Sequence, residues 1–576
     1  MIKLRRFLMR IFKLFVGLFP KWFRNILKRN PKLTSMYSRN LQKSGYFYGF
    51  PTRQKLDALY SENIKEQNLR LHTLSAKSDM SIEVLVIVPP ELCQRLLDTL
   101  LSVPIDVKVY VMCVPEDFIE VQELVKVSGK ANVDVLIEHD ENCVFQHSIL
   151  AIFSGDMIHP NALSIFQNYH EEDVDVSYCD KDRLTDGKRN TPCFFPNWDP
   201  DLQLTTGYVS SGVWIRRPDS IMKYLNCKVE SVALMMAHFY LNGSKFKIGH
   251  IPFVLIHMSA VSTFNYKYYA KVLNDFNPAQ LKLTAQMDHE YLQPVWLLKY
   301  EPLVSLIIPT KDELKLVKTC INSILASKYQ NFEILLINNN STEQKTLDYF
   351  EQIGTHKKIQ VLSYSKPFNY SAINNFAVSH AKGDVIGLIN NDIEVIDNSW
   401  LNYMVSHVCR EDVGCVGAKL LYPDDRVQHA GVVMGYGGGA GHAHKYFPRY
   451  HSGYLKRLVA TNSYSAVTAA CLLVKKTDFN AVNGLNEELA VAFNDVDFCL
   501  RIKGLGRRNL LCTEALLYHH ESVSRGREDT KDKILRFEGE VGFIKKEWKK
   551  IIEDDPCYNP NLTLKRENFS IKEKDE

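Results

Sequence analysis

The stretch GDVIGLINNDIEVIDNSW, residues 383 to 400, decides how the chain is read. Val385 to Ile389 is a continuous apolar run that stops abruptly at Asn390-Asn391-Asp392, and a second short apolar run follows. An apolar run of this length bounded by turn residues reads as a buried strand. Ligands of open α/β sheets bind outside the carboxyl ends of the strands, so a carboxylate there stands in a binding crevice. Asp392 is also a hard oxygen ligand, suited to a divalent cation bound to a diphosphate. The competing reading is a strand followed by an Asn/Asp turn without further role.

The flanks extend the pattern. Upstream, PLVSLIIPTKDE (Pro302 to Glu313) is a β-rich run broken by Pro309, and LVKTCINSILAS has apolar residues at helical spacing. FEILLINNNST is a second buried strand running into Asn338-Asn339-Asn340, and NYSAINNFAVSHAKGD leads into the Asp392 strand. Strand, helix, strand, helix, strand at this spacing predicts a parallel α/β sheet. The polar loops at successive strand ends then gather on one edge, a nucleotide-sized crevice. Downstream, in LAVAFNDVDFCLRIKGLG, Asp495 and Asp497 open an amphipathic helix. A carboxylate at a helix N-terminus is stabilised as the anion, which suits a general base, while Asn494 or Asp495 acting as a cap is the plainer alternative. LLYHHESVSRGRE places His519 and His520 after a strand-like run, where a neutral imidazole can serve a metal.

With these residues in view, the chain resembles the inverting family 2 glycosyltransferases of the GT-A fold, most of all the branch of bacterial O-antigen and rhamnan-type polysaccharide assembly. The resemblance covers about residues 302 to 565 and rests on PFNYSAINNFAVSHAKGD, INNDIEVI, VGAKLLYPDDRVQHAGVVMG, AVTAACLLVKK, LAVAFNDVDFCLR and YHHESVSRG, in that order. It implies an α/β, Rossmann-like catalytic domain with a mostly parallel sheet. It implies Asp392 as ligand to a divalent cation, Mn or Mg, and His520 completing the metal site, with His519 as the near alternative. Asp495 becomes the acceptor-activating base. Pro309, Thr310, Lys311, Asn338, Asn339 and Asn391 become the contacts of the donor nucleotide. Two departures are visible: Asn338 stands where the family usually has Asp, and Asn390 stands first in the DxD-type motif. The chemistry implied is a single displacement with inversion, in which an acceptor hydroxyl attacks the anomeric carbon of a nucleotide-sugar. Arg525 or Arg527 on SRGRE reaches the leaving diphosphate in this reading.

At 576 residues and 45% hydrophobic content, the chain is too long for one core, and its net charge of +4 does not by itself imply nucleic acid. From Met1 to Lys55 there is no Asp or Glu, and Lys and Arg alternate with Phe, Leu, Ile and Trp. Phe7, Leu8, Ile11, Phe12, Phe15 and Val16 fall at helical spacing, so residues 1–80 read as a basic amphipathic segment lying on a cytoplasmic membrane surface. A signal peptide and a helix docked on the protein itself are the alternatives. Residues 81–260 read as a degenerate copy of the catalytic domain: IEVLVIVPPE parallels LVSLIIPTKD, and SILAIFSGDMIHPNAL parallels the opening stretch with Asp156 in the place of Asp392. Residues 261–301 read as a helical connector, 302–545 as the GT-A domain and 546–576 as a C-terminal tail. The thirteen cysteines, without CxxC, point to free thiols in a reducing compartment. The expected protein is thus a peripheral enzyme at the inner face of the cell membrane, with a nucleotide-sugar donor and a lipid-linked oligosaccharide or glycan acceptor. Two other classes compete. Gly435, Gly437 and Ala440 in GVVMGYGGGAGHAH meet a loose dinucleotide pattern, but no clear helix follows, and a mobile loop with His442 or His444 against sugar or phosphate fits better. A scaffold without catalysis would explain Asn338 and Asn390, but not Asp392, Asp495 and the histidine pair together.

Overall fold

The computed structural model describes residues 51–74, 82–138, 145–169, 173–218, 222–243, 246–259, 263–277, 279–520, 531–574 and 576, with scattered positions between 7 and 27. The chain divides into two compact units. The first comprises Arg53–Pro294 with Tyr558–Thr563 and Ile571–Glu576; the second comprises Val295–Cys557 with Leu564–Ser570.

In the first unit, helix α1 (Arg53–Leu74) precedes strands β1 (Ile82–Ile87), β2 (Val109–Cys113), β3 (Val133–Ile137), β4 (Ser148–Phe153), β5 (Asp156–Ile158), β6 (Val176–Thr185), β7 (Lys188–Cys193), β8 (Val213–Ile215) and β9 (Ile248–Met258). Their order in the sheet is β3-β2-β1-β4-β8-β6-β9-β5, with β7 paired to β6. Helix α2 (Tyr266–Phe276) and a hairpin of β10 (Leu281–Gln286) and β11 (Tyr291–Trp296) follow. The expected helical connector is therefore one helix and a hairpin. Its alternation of buried Leu281 and Leu283 with exposed Lys282 and Thr284 is the period-2 signature of a half-buried strand. The tail is not a separate piece either. Asn559 and Asn561 are buried in the first unit, where the Asn559 amide donates to the Asp180 carboxylate at 2.9 and 3.0 Å.

The second unit contains β12 (Val304–Thr310), α3 (Leu314–Leu325), β13 (Phe332–Asn338), α4 (Gln344–Ile353), β14 (Ile359–Ser363), α5 (Tyr370–His380), β15 (Val385–Ile389), β16 (Ile393–Val395), α6 (Trp400–Val408) and β17 (Val413–Leu421). It continues with β18 (Val427–His429), β19 (Val432–Met434), β20 (Ala440–His442), β21 (Asn462–Tyr464), β22 (Cys471–Lys475), α7 (Asn494–Gly504), β23 (Arg508–His519) and α8 (Lys531–Glu547). Its sheet runs β14-β13-β12-β15-β22-β17-β23-β16. Strands β12 to β15 are mutually parallel, β22 is antiparallel to both neighbours, β23 is parallel to β17, and β16 is antiparallel to β23. The first unit has the same order and the same strand senses. The fold is the mixed α/β, GT-A-type arrangement that the sequence leads one to expect.

Both faces of the second sheet are covered, which explains why its central strands are apolar throughout rather than alternating. Val304, Leu306 and Ile308 of β12, with Val385 and Ile389 of β15, pack on Val317 and Ile321 of α3 and on Trp400 and Met404 of α6. Ile307, Ile386 and Leu388 face the other way, onto Ile373 and Ala377 of α5 and Phe498 and Ile502 of α7. Each such side chain contributes about 1.5–3 kcal/mol by leaving water. Gly387 marks a close approach within β15, where a Cβ would lie 2.6 Å from Leu306 Cδ2. One irregularity shapes the site. The β17–β23 ladder passes from Ala418 opposite Cys512 to Lys419 opposite Leu516, so Thr513, Glu514 and Ala515 bulge from β23.

The described cysteines are free thiols, most of them buried. Of the N-terminal segment, Phe7, Leu8, Ile11, Phe12 and Phe15 are helical and exposed. No helix among the described residues is long and apolar enough to cross a membrane.

Candidate active site

The parallel strands β13, β12 and β15 end on the same side of the sheet, which brings Thr310, Asn338 and Asn390–Asp392 to one edge. A cavity of about 810 Å³ opens there. Of the residues singled out in the sequence, Pro309, Thr310, Lys311, Asn339, Asn391, Asp392 and Asp495 all line it.

Asp392 is 6% exposed, and its Oδ1 lies 3.1 Å from His519 Nε2. The Asn390 amide nitrogen is 3.4 Å from the same His519 nitrogen. His520, the expected metal ligand, does not join them. Its backbone N–H donates to the Asp392 carbonyl at 3.0 Å, while its ring reaches out to Glu394 at 2.8 Å. Successive strand residues point to opposite faces, and His519, paired directly with Ile393, takes the inner one. Two cis ligands of one octahedral ion with bonds of about 2.1 Å stand about 3.0 Å apart. The Asp392 oxygen and His519 nitrogen have that spacing, and a carboxylate oxygen with an imidazole nitrogen is a donor set for a divalent cation without selecting one metal; the residues fit a divalent cation.

Asn338 is corrected in the same way. Its Oδ1 accepts the Ser341 N–H at 2.9 Å, closing a turn, and its neighbour Asn339 takes the place on the cavity wall. Asn339 is itself fixed, its amide donating to the carbonyls of Tyr364 and Lys366 at 3.0 and 2.9 Å. Asn391 donates to Thr310 Oγ1 at 3.0 Å, tying two strand ends together. Asp312, which sequence reading passed over, holds a third connection. Its Oδ1 accepts the N–H groups of Thr342 and Glu343 at 2.7 and 2.9 Å. Partial burial alone would raise its pKa; the donated backbone hydrogen bonds outweigh this and hold it below the usual carboxylate range. Asp312 and Glu313 both adopt positive φ, 51° and 54°, so the loop entering α3 turns sharply.

Across the cavity, α7 begins after Phe493 at φ 59°. Asn494 is buried and donates to the carbonyls of Leu489 and Val491, and Asp497 is fixed by Arg501 Nε at 2.8 Å and Trp548 Nε1 at 3.0 Å. Of the first-turn acids, Asp495 is the one that lines the cavity. Its Oδ2 accepts the Ala469 N–H at 3.0 Å and its Oδ1 the Val496 N–H at 2.9 Å.

Arg525, expected at the diphosphate, lies outside the described residues, as does Arg527. Arg536 of α8 lines the cavity instead. Its partner Glu540, with Nε 3.7 Å from Oε2, accepts the N–H groups of Val491 and Ala492, so the same helix pins the loop before Asp495. Gln428, His442 and Thr468 complete that side. His444, the other histidine of the Gly-rich segment, is buried with its Nε2 accepting the Tyr454 N–H at 3.0 Å.

His407, Cys512 and Glu514 also come within ligand spacing of one another. There His407 Nδ1 accepts from Arg410 at 3.1 Å, which puts the neutral ring's proton on Nε2 and leaves no lone pair for a cation.

The matching edge of the first unit is built differently. Asp156 follows β4 as Asp392 follows β15, and His257 stands in the register of His519. Asp156, however, is buried and accepts from Ser211 Oγ and from the Phe153 N–H. Burial pushes its pKa up, opposed by the buried Lys181 ammonium and the Ser211 hydroxyl. His257 Nδ1 is 2.6 Å from Asp182 rather than beside Asp156.

Residues 305–472 match the family model Glycosyl transferase family 2. The class defined by the match is a family 2 glycosyltransferase domain within the second unit, and Asp495 and His519 lie outside the matched residues. The chain is 40% identical over 444 residues to the uncharacterized protein y4gI of Sinorhizobium fredii, an alignment covering 72% of this chain and 48% of that protein. It is 33% identical over 438 residues to the O-antigen biosynthesis protein RfbC of Myxococcus xanthus, covering 71% of this chain and 33% of that one. The chain thus spans half or less of the length of these relatives. Among solved structures, GalNAc-T7 with UDP, GalNAc and Mn²⁺ aligns with 49% of this chain and 55% of its own at 13% identity and a TM-score of 0.38.

Proposed function

We propose that the second unit is an inverting glycosyltransferase that moves a sugar from a nucleotide-sugar to a hydroxyl of a growing, lipid-linked surface glycan. The observation that carries this reading is one cavity, at the carboxyl ends of parallel strands, lined by the Asp392–His519 pair and by Asp495. The loops of Pro309–Lys311 and Asn339 bind the nucleotide, and Thr310 and Asn391 keep those loops in register. Asp392 and His519 hold a divalent cation, which when bound neutralises charge on the leaving diphosphate. Lys311 and Arg536 add positive charge at the same cavity. The acceptor oxygen attacks the anomeric carbon as the bond from that carbon to the diphosphate oxygen breaks. Asp495 takes the acceptor proton, a role worth about 10²–10⁴-fold in rate. With one displacement and no protein nucleophile, the anomeric configuration inverts.

The first unit, in this reading, is a non-catalytic copy, its acid hydrogen-bonded by Ser211 and its charge offset by Lys181. The basic N-terminal segment, with its exposed Phe7, Leu8, Ile11, Phe12 and Phe15, holds the enzyme on an anionic cytoplasmic membrane surface. Similarity to an O-antigen biosynthesis protein supports a surface glycan as acceptor.

The test is release of nucleoside diphosphate from a panel of nucleotide-sugars with and without Mn²⁺ or Mg²⁺, comparing the parent with Asp392→Ala. Metal-dependent release from one donor, lost in the variant, supports the transferase. Absence of both release and donor binding would turn the reading toward a scaffold.

A further inference from the structure

Phe368 is the second residue of PFNYS, residues 367 to 371, and the displacement above does not use it. Among the described residues lining the cavity, it is the one large apolar side chain that is exposed, at 48%. Its neighbours on the wall, Tyr370 and Ile373, are buried. On an open surface a single exposed apolar side chain needs no explanation. Inside a cavity lined by charged and amide groups, an aromatic ring offers a face on which a flat group can leave water.

The loop that carries the ring, between β14 and α5, is fixed at both ends. On one side the Tyr364 N–H donates to the Asn338 carbonyl at 2.9 Å. The Asn339 amide donates to the Tyr364 and Lys366 carbonyls at 3.0 and 2.9 Å, and the Asn340 amide to the Ser365 and Lys366 carbonyls at 3.2 and 3.3 Å. On the other side the Asn369 amide donates to the Glu487 carbonyl and the Tyr370 N–H to the Ala490 carbonyl, each at 2.8 Å. A ring on such a loop is in place before a ligand arrives, so little ordering is lost on binding.

Strand order decides which part of a nucleotide-sugar meets the ring. The sheet runs β14-β13-β12-β15-β22 along this edge. Asp392, which holds the cation and so marks the diphosphate, follows β15. Asp495, which marks the reacting carbon, accepts the Ala469 N–H just before β22, on one side of β15. The Phe368 loop is bonded to Asn338, Asn339 and Asn340 at the end of β13, two strands to the other side, which is about 10 Å at the usual strand spacing. A diphosphate separates sugar from nucleoside. With the sugar toward Asp495, the nucleoside lies toward Phe368, and its flat group is the base.

Resting on the transferase reading, we propose that the base of the donor nucleotide stacks on the Phe368 ring. The ring supplies affinity for the nucleoside without reading the base, since every base has a π-face. That is a part Asn338 does not fill, its side-chain oxygen being engaged by the Ser341 N–H.

Titration calorimetry on the full chain with Mn²⁺ tests this, using UDP, GDP and dTDP. Phe368→Ala should weaken the nucleoside diphosphate that the parent binds most tightly by about 5- to 150-fold, the worth of one base–aromatic stack. Phe368→Trp, which keeps a π-face, should bind like the parent. Phe368→Leu, apolar without one, should bind like Phe368→Ala. Mn²⁺ affinity and melting temperature should hold in all three, since the ring is exposed and its loop lies two strands from the cation pair. An unchanged Kd in Phe368→Ala, or a Phe368→Leu that binds like the parent, overturns the stack while the transferase reading stands. A loss of Mn²⁺ affinity alongside would mean a collapsed loop and equally overturns it. If Phe368→Ala weakens an intact nucleotide-sugar while the diphosphate binds unchanged, the ring lies under the sugar and the base assignment falls. A parent that binds none of the three removes the transferase reading and the stack together.

Discussion

Replacing Asp495 by Asn separates two roles that one carboxylate holds. Its two oxygens accept one backbone N–H each, from Ala469 at 3.0 Å and Val496 at 2.9 Å. An Asn side chain has a single acceptor oxygen, so one of these donors must face an NH₂ group. Leaving one such donor without its acceptor costs about 1–3 kcal/mol when buried; Asp495 is half-buried, which points to the lower part of that range. At about 2–4 °C per kcal/mol for a domain of this size, the melting temperature should fall by a few degrees. The activity loss should be far larger. Without a group to accept the proton, nucleoside diphosphate release should drop about 10²–10⁴-fold. Calorimetry and a discontinuous release assay on the same preparation give both numbers. A variant that loses a few degrees yet keeps turnover within tenfold of the parent would refute Asp495 as the base while leaving the geometry intact. An unchanged melting temperature would refute the hydrogen-bond account itself.

Other consequences are more direct. His519→Ala should weaken Mn²⁺ affinity by more than about 10-fold in a metal titration, since even groups one step removed from a metal cost 10–100-fold. His520→Ala should leave it nearly unchanged, and the reverse order would overturn the assignment. Lys419, buried with its Nζ donating to Leu458 and Arg449 carbonyls at 2.7 and 3.2 Å, has its pKa lowered to about 7 by burial, reinforced by Arg449. A base depressed in the folded state leaves the unfolded chain binding more protons between about pH 7 and its ordinary value near 10.5. Stability from this group is therefore present above that ordinary value and lost as pH falls toward 7. Relative to Lys419→Met, the parent should gain thermal stability as pH is raised from 7 to 10, and a pH-independent difference would contradict this. Deleting residues 1–30 should move the protein from the membrane to the supernatant fraction; unchanged fractionation would count against the surface-binding segment.

Much of the fold was legible because an apolar run of five to seven residues, with turn residues at both ends, is the mark of a strand buried on both faces. Strands β12, β13 and β15 read out directly, and with them the edge that carries Asp392. Asp495 stood out as a carboxylate opening an amphipathic helix, a place the sequence alone reads equally well as a cap. Choosing between neighbours was harder. Asn338 against Asn339, and His519 against His520, depend on which way a strand end points, and that phase is set by pairing partners far along the chain. Arg536 could not be read at all, since it belongs to a charged helix whose place depends on Glu540 meeting two N–H groups near Val491. The β10–β11 hairpin was missed for a different reason: its alternation is present in LKLT, but the aromatic residues around it suggested helices.

The bulge at Thr513–Ala515 works as a phase shifter. Upstream of it, even-numbered Leu510 and Cys512 face the core shared with α3 and α6; downstream, odd-numbered Ala515 and Leu517 do. Parity changes within the bulge, and His519 inherits the new one. Removing a single residue there would hand the place beside Asp392 to His520, at equal length of side chain and with the same chemistry. The identity of the histidine at the site is thus written several residues before either histidine, in the parity of an irregular strand, and two adjacent identical residues make the strand tolerant of a slip that would otherwise cost it a ligand.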